Sequence, residues 1–129
     1  MDLNSKEIAK KIEDYREDNS CSQATLMGLC EDCDIDLETL SKLGLGFSGG
    51  IGGTFAEGTC GAITGAVMAL GLLADEDDIK PMAKQLFNDF QNKYGSVKCG
   101  DISKNGEDKS PCVEVCLFAG DKVCELLKD

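Results

Sequence analysis

Eight cysteines and no histidine stand in this chain of 129 residues. Without histidine it lacks the commonest general base and the commonest nitrogen ligand for a metal. A Ser-His or Cys-His catalytic pair within the chain is therefore excluded, and whatever chemistry it performs runs through sulfur. In an oxidising compartment eight cysteines would read as four disulfides. In a reducing cytoplasm they read as metal ligands or redox groups.

The positions of the cysteines sort them. Cys21, Cys60 and Cys112 each fall in the first turn of an expected helix. The unpaired N–H groups there carry a partial positive charge of roughly half a unit, which favours a thiolate or a bound anion. An ordinary thiol, with a pKa near ~8.5, is only a few per cent thiolate at neutral pH. Lowering the pKa to about 7 makes it about half thiolate. Cys99 lies in an expected long polar loop, a setting more often functional than a short connection. Cys30 and Cys33 form a CxxC, but at the C-terminal end of an expected helix and among Glu31, Asp32 and Asp34. Helix end and carboxylates both disfavour a thiolate there. A thioredoxin-like CxxC requires a helix N-terminus after a strand, and neither is visible. Cys116 and Cys124 fall inside the last expected helix, where cysteine serves as a small buried hydrophobe.

The elements that must position these residues are helical. Asn4-Ser5-Lys6-Glu7 fits a capping box, followed by Ile8, Ile12 and Tyr15 on one face. Asn19-Ser20 starts a second helix that carries Cys21 to Cys30 and ends near Cys33. Asp34 or Asp36 caps a short third helix with Leu37, Leu40 and Leu43. Thr59 caps a fourth over 60–74. Asp77 or Asp78 caps a fifth, with Pro81 in its first turn and a stripe of Ile79, Met82, Ala83, Leu86, Phe87, Phe90 and Tyr94. Residues 95–110 read as loop. Ser110-Pro111 then opens a last helix whose Val115, Cys116, Ala119, Val123 and Leu126 or Leu127 face inward. No segment reads as a convincing strand. The expectation is all-α: one domain over 1–129, a single compact bundle of five or six helices.

The Gly-rich loop before the central helix, GLGFSGGIGG at 44–53, must turn tightly or approach something closely. It is not a phosphate loop of the Walker type, because no Gly-Lys-Ser/Thr follows. In the next stretch, EGTCGAITGAVMALG, Cys60 presents sulfur and Gly61 has no side chain to obstruct it. Gly61 and Gly65 form a GxxxG ridge that allows another helix to come close.

With 24 acidic and 13 basic residues, the net charge is -11. Nucleic acid and anionic membrane surfaces are thereby poor partners. The N-terminus, MDLNSKEIAKKIEDY, has no apolar h-region. The longest apolar run, near 62–74, is too short and interrupted to insert into a membrane. The expected location is the cytoplasm.

The order of these residues resembles the C_GCAxxG_C_C family, described as redox-active. Cys21 sits in Asn-Ser-Cys-Ser-Gln-Ala, the centre is Cys60-Gly61-Ala62-Ile63-Thr64-Gly65, Cys99 stands in Lys-Cys-Gly-Asp, and Cys112 opens the last helix. The resemblance runs from about Ile8 to Leu127. Cys116, one helical turn on, competes with Cys112 for the fourth position, and Cys112 is preferred for its place at the helix start. Cys30, Cys33 and Cys124 are left unassigned. The resemblance implies small, mostly bacterial and archaeal redox proteins. It also implies a likeness to the C-terminal part of split-Soret cytochromes, associated with an iron–sulfur centre. Relatives with selenocysteine at a motif position point instead to thiol chemistry.

Three readings stand. In the first, Cys21, Cys60, Cys99 and Cys112 ligate an iron–sulfur cluster for electron transfer with a redox partner protein. In the second, the same cysteines perform thiol–disulfide exchange, with Cys60 attacking and a helix dipole or a lysine such as Lys98 activating it. In the third, the cysteines are structural. They serve packing alone or hold a zinc ion, with Cys30-x-x-Cys33 paired to Cys112 and Cys116. The Gly-rich apolar surfaces would serve a homodimer as readily as a core.

Overall fold

The computed structural model describes residues 4–55, 57–103 and 110–128. They form α1 (Ser5–Arg16), α2 (Cys21–Cys30), α3 (Leu37–Leu45), α4 (Gly61–Leu73), α5 (Glu76–Tyr94), α6 (Cys99–Ser103) and α7 (Ser110–Leu127). The fold is all-α. The expected helices are present, and α6 adds a helix of five residues where the sequence suggested loop. The remainder of that expected loop, 104–109, lies outside the described residues. Among them there is no strand, only an isolated antiparallel bridge between Thr59 and Lys98.

α2 sits at the centre. It packs against α1, α3, α4 and α7, and every residue from Ser22 to Cys30 is buried. A helix buried on all sides belongs inside a bundle. Its start is fixed by a complete capping box: the Gln23 N–H donates to Ser20 Oγ at 3.4 Å, and the Ser20 N–H donates to Gln23 Oε1 at 3.1 Å. α1 is capped by Asn4, whose Oδ1 accepts from the N–H groups of Lys6 and Glu7. Ile8 and Ile12 are buried as the period predicts. On α7, Val115, Cys116, Ala119, Val123 and Leu127 face the core, and Leu126 is only partly covered.

The GxxxG ridge has a definite partner. A Cβ on Gly61 would lie 2.7 Å from the Ser22 nitrogen, and one on Gly65 would lie 2.5 Å from the Ser22 carbonyl oxygen. The two glycines thus let the backbone of α4 rest against the first turn of α2, next to Cys21.

Two expected caps move. The N-cap of α4 is Cys60 rather than Thr59, because the Thr59 backbone is engaged in the bridge to Lys98. The N-cap of α5 is Asp75 rather than Asp77 or Asp78, which places Pro81 inside the helix, past its first turn. Proline there leaves the Asp77 carbonyl without its intrahelical donor. Asp77 is exposed, so water can serve that carbonyl.

Candidate redox site

Cys21, Cys60, Cys99 and Cys112 line one cavity of about 810 Å3. They come from four separate elements, and each is placed by a local device. Cys21 is the first residue of α2, directly after the Ser20 cap. Cys60 caps α4 and Cys99 begins α6, and the two are tied together by backbone. The Cys60 N–H donates to the Val97 carbonyl at 2.7 Å and the Cys99 N–H to the Gly58 carbonyl at 2.8 Å. Side chains alternate across such a pairing, so Cys60 and Cys99 fall on the face opposite Thr59 and Lys98. Cys112 lies in the first turn of α7, and its carbonyl accepts from Cys21 Sγ at 3.7 Å.

The glycine-rich loop forms another wall. Gly49, Gly52 and Gly53 border the cavity with φ of 61°, 60° and 73°, left-handed backbone in which a side chain would be strained. Phe55, also on the wall, holds φ of 43° without being glycine. Its carbonyl accepts the Gly100 N–H at 2.6 Å, which clamps this turn to the start of α6.

A family model described as "Putative redox-active protein (C_GCAxxG_C_C)" matches residues 19–126, a span that holds all four of these cysteines. The chain belongs to this family. It matches no curated protein and no solved structure. Membership places the C_GCAxxG_C_C protein in a family described in those words and leaves its chemistry to be argued from the site.

The electrostatics differ from what the helix starts suggested. Burial pushes the Cys60 thiol up to about 12, helped by the neighbouring Cys21, Cys99 and Cys112, while the Ala62 N–H at the start of α4 opposes the rise. For Cys21, the hydrogen bond from Cys112 acts to lower the pKa. The hydrogen bond to Cys116, together with burial, outweighs it and brings the thiol up to about 12. The Cys112 thiol is raised as well, by its hydrogen bond to Cys21 and then by burial. At a pKa of about 12, about one thiol in 10⁵ is ionised at pH 7.

Among the described residues the cation lining the site is Arg16, which sequence reasoning missed. It lines the cavity, and its charge lowers the pKa of both Cys21 and Cys112. One of its terminal nitrogens donates to the Asn19 carbonyl at 2.9 Å, and its Nε is buried with no partner among the described residues. Arg16 is the chain's only arginine, five residues before Cys21; its uniqueness was the available signal. Lys98, the expected activator, is instead paired with Glu57 at 3.3 Å, half exposed.

The remaining cysteines lie off the cavity wall. Cys116 is fully buried and donates to the Cys21 carbonyl at 3.7 Å, seating α7 on α2. Cys124 is buried in the core. Cys30 stands at the far end of α2 from Cys21, about 13 Å away at 1.5 Å per residue. The zinc pairing of Cys30 and Cys33 with Cys112 and Cys116 is thereby overturned, since Cys116 packs at the Cys21 end. Among the described residues, no group of three or more Cys, Asp or Glu converges as ligands of a single metal ion.

Proposed function

We propose that this C_GCAxxG_C_C protein is an electron carrier that holds an iron–sulfur cluster on Cys21, Cys60, Cys99 and Cys112. The observation that carries the reading is that four thiols from four elements line one cavity, and three of them, Cys21, Cys60 and Cys112, hold their protons tightly. Thiols with such raised pKa values are poor free nucleophiles. Metal ligation replaces the proton outright, so the same burial is compatible with a ligand role. Thiols that border a cavity without converging on a point suit a group several atoms across better than one ion. Four cysteines without histidine are the usual ligand set for such a cluster, which supplies one-electron transfer when bound.

The chain's own groups would then act on the site around them. Arg16 sets a positive charge against an anionic ligand sphere. The walls from Gly49 to Phe55 limit water. Gly61 and Gly65 keep Cys60 and Cys21 within reach by holding α4 against α2. A redox protein of a reducing cytoplasm is the partner that fits this reading.

One observation favours the second reading, thiol–disulfide exchange: Cys21 Sγ donates to the Cys112 carbonyl at 3.7 Å, which brings these two cysteines close together. The test is anaerobic reconstitution of the protein and its single Cys→Ser variants with ferrous iron and sulfide. The cluster reading predicts uptake of iron with acid-labile sulfide, lost at positions 21, 60, 99 and 112 and kept at 116 and 124. A protein that takes up neither, yet reduces a disulfide through Cys21 and Cys112, would establish the second reading instead.

A further inference from the structure

The CxxC at the end of α2 belongs to none of the machinery above. Cys30 is fully buried as the last residue of the helix. Cys33 is half-buried and borders a second cavity, of about 490 Å3, with Lys11, Gly28 and Leu73. The chain between the two cysteines makes a tight turn, in which the Cys33 N–H donates to the Cys30 carbonyl at 2.9 Å. A turn closed by this bond holds its end Cα atoms within about 7 Å, which falls in the span a disulfide can bridge. The turn is also fastened from outside. Lys11 Nζ lies 3.0 Å from Glu31 and 3.4 Å from Asp32, and the Tyr15 hydroxyl donates to Glu31. The two cysteines are therefore held together by α1 as well as by their own turn.

We propose that Cys30 and Cys33 form a second redox site, separate from the four-cysteine cavity, that closes to an intrachain disulfide by exchange with a low-molecular-weight disulfide. Cys33, reached through the second cavity, loses its proton to solvent and attacks one sulfur of the incoming RS–SR. This forms Cys33–S–S–R and expels one RS⁻. Cys30 is as weak a free nucleophile as the cavity thiols, but the turn that holds it beside Cys33 makes its attack intramolecular: it loses its proton and attacks Cys33 Sγ, expelling the second RS⁻. In sum, one RS–SR and two cysteine thiols give one protein disulfide and two RSH. Two electrons pass from the cysteines to the external disulfide.

The surroundings set the direction of this exchange. Burial and the neighbouring Cys33 push the Cys30 thiol up to about 12, and the site lies at the negative end of α2 beside Glu31, Asp32 and Asp34. Strongly oxidising dithiols owe that property to a stabilised thiolate in the reduced state. Here no thiolate is stabilised, so the pair lacks the feature that makes a disulfide strongly oxidising.

The experiment uses the full-length protein, equilibrated anaerobically with reduced and oxidised glutathione, acid-quenched, alkylated and digested. The peptide carrying Cys30 and Cys33 is then read by mass spectrometry. The two residues are expected to lose their alkyl tags together, in a linked peptide, with little singly tagged form. In Cys30→Ser the exchange stops halfway, and the Cys33–glutathione adduct should rise at least about tenfold over the parent. The proposal is overturned if parent Cys30 and Cys33 oxidise independently, if the parent holds as much adduct as the variant, or if both stay tagged in oxidised glutathione. Should Cys30→Ser fail to fold, the parent measurement alone decides. The outcome does not depend on whether the other site takes up iron.

Discussion

At its first residue α2 offers Cys21 to a cavity shared with three other thiols and with Arg16; at its last it buries Cys30 beside Cys33, Glu31 and Asp32. The first end is the positive pole of the helix and the second the negative pole. Helix polarity alone would make Cys21 acidic and Cys30 inert. Yet both thiols are pushed up to about 12. Magnitudes explain why. A helix terminus is worth about 0.3–1 kcal/mol at exposed positions and up to ~2 kcal/mol when partly buried. A rise of three pKa units corresponds to about 4 kcal/mol. Burial and neighbouring thiols outweigh the dipole at both ends. What separates the ends is the company each keeps: four thiols and a guanidinium around an open cavity, against a lone pair on an acidic turn.

The strongest way to break this comparison is to remove one of the proposed ligands. Cys60→Ser should abolish iron uptake by the reconstituted protein, an effect beyond the ~10–100-fold loss seen when a residue supporting a ligand is changed. Iron assayed per chain checks it, and full uptake by the variant would move the site away from this cavity.

A second effect is alkaline. The folded pKa of Cys60 is raised above its ordinary value of 9.0 to about 12, so the fold holds that proton more tightly than the unfolded chain does. Its contribution to stability is whole below pH 9 and is lost as pH rises toward 12. The metal-free protein should therefore lose about 1.4 kcal/mol per pH unit in that window for this thiol. Urea unfolding across the range measures the slope, and Cys60→Ala should reduce it by about that amount, leaving the share of the other raised thiols.

The packing beneath the cavity gives a pair of opposite predictions on one helix. A Cβ on Gly65 would meet the Ser22 carbonyl oxygen at 2.5 Å, whereas one on Gly71 meets nothing within 4 Å. Gly65→Ala should cost about 1–3 kcal/mol by forcing α4 off α2. Gly71→Ala should add about 0.5–1 kcal/mol. Denaturant midpoints of both variants check the pair.

Smaller still, Arg16→Gln should weaken cluster retention about tenfold and lower the reduction potential, because a positive charge beside the site favours the more negative, reduced state. Iron retention during dialysis against a chelator and a redox titration together check it. An unchanged potential would make Arg16 structural only. At the bottom of the scale, Cys124→Ser should leave redox behaviour unchanged and cost about 1 kcal/mol for a buried hydroxyl, as thermal unfolding would show.

Much of the fold was legible because periodicity is a local property. Ile8 and Ile12 on α1, and Val115, Cys116, Ala119 and Val123 on α7, are buried where a 3.6-residue period places them. Gly61 and Gly65 announced a close approach, although only the fold shows that Ser22 receives it. Residue type and order picked out the four cysteines. That they would share one cavity was not legible, because Cys60 and Cys99 are brought together by a single bridge between Thr59 and Lys98, a pairing with no strand pattern on either side. α6 was missed because five residues carry no helical period. Arg16 escaped because its approach to Cys21 depends on how the chain turns between α1 and α2. The acidity expected of the thiols reversed because burial is a tertiary property, and helix position alone does not report it.

The measurement that tests the central claim most directly is the absorbance spectrum of protein purified without oxygen, with iron, acid-labile sulfide and zinc assayed on the same sample. An iron–sulfur carrier built on Cys21, Cys60, Cys99 and Cys112 predicts visible charge-transfer bands, with iron and sulfide in stoichiometric amounts and zinc absent. A colourless protein that stays free of iron after reconstitution, or one that carries zinc in iron's place, would contradict it.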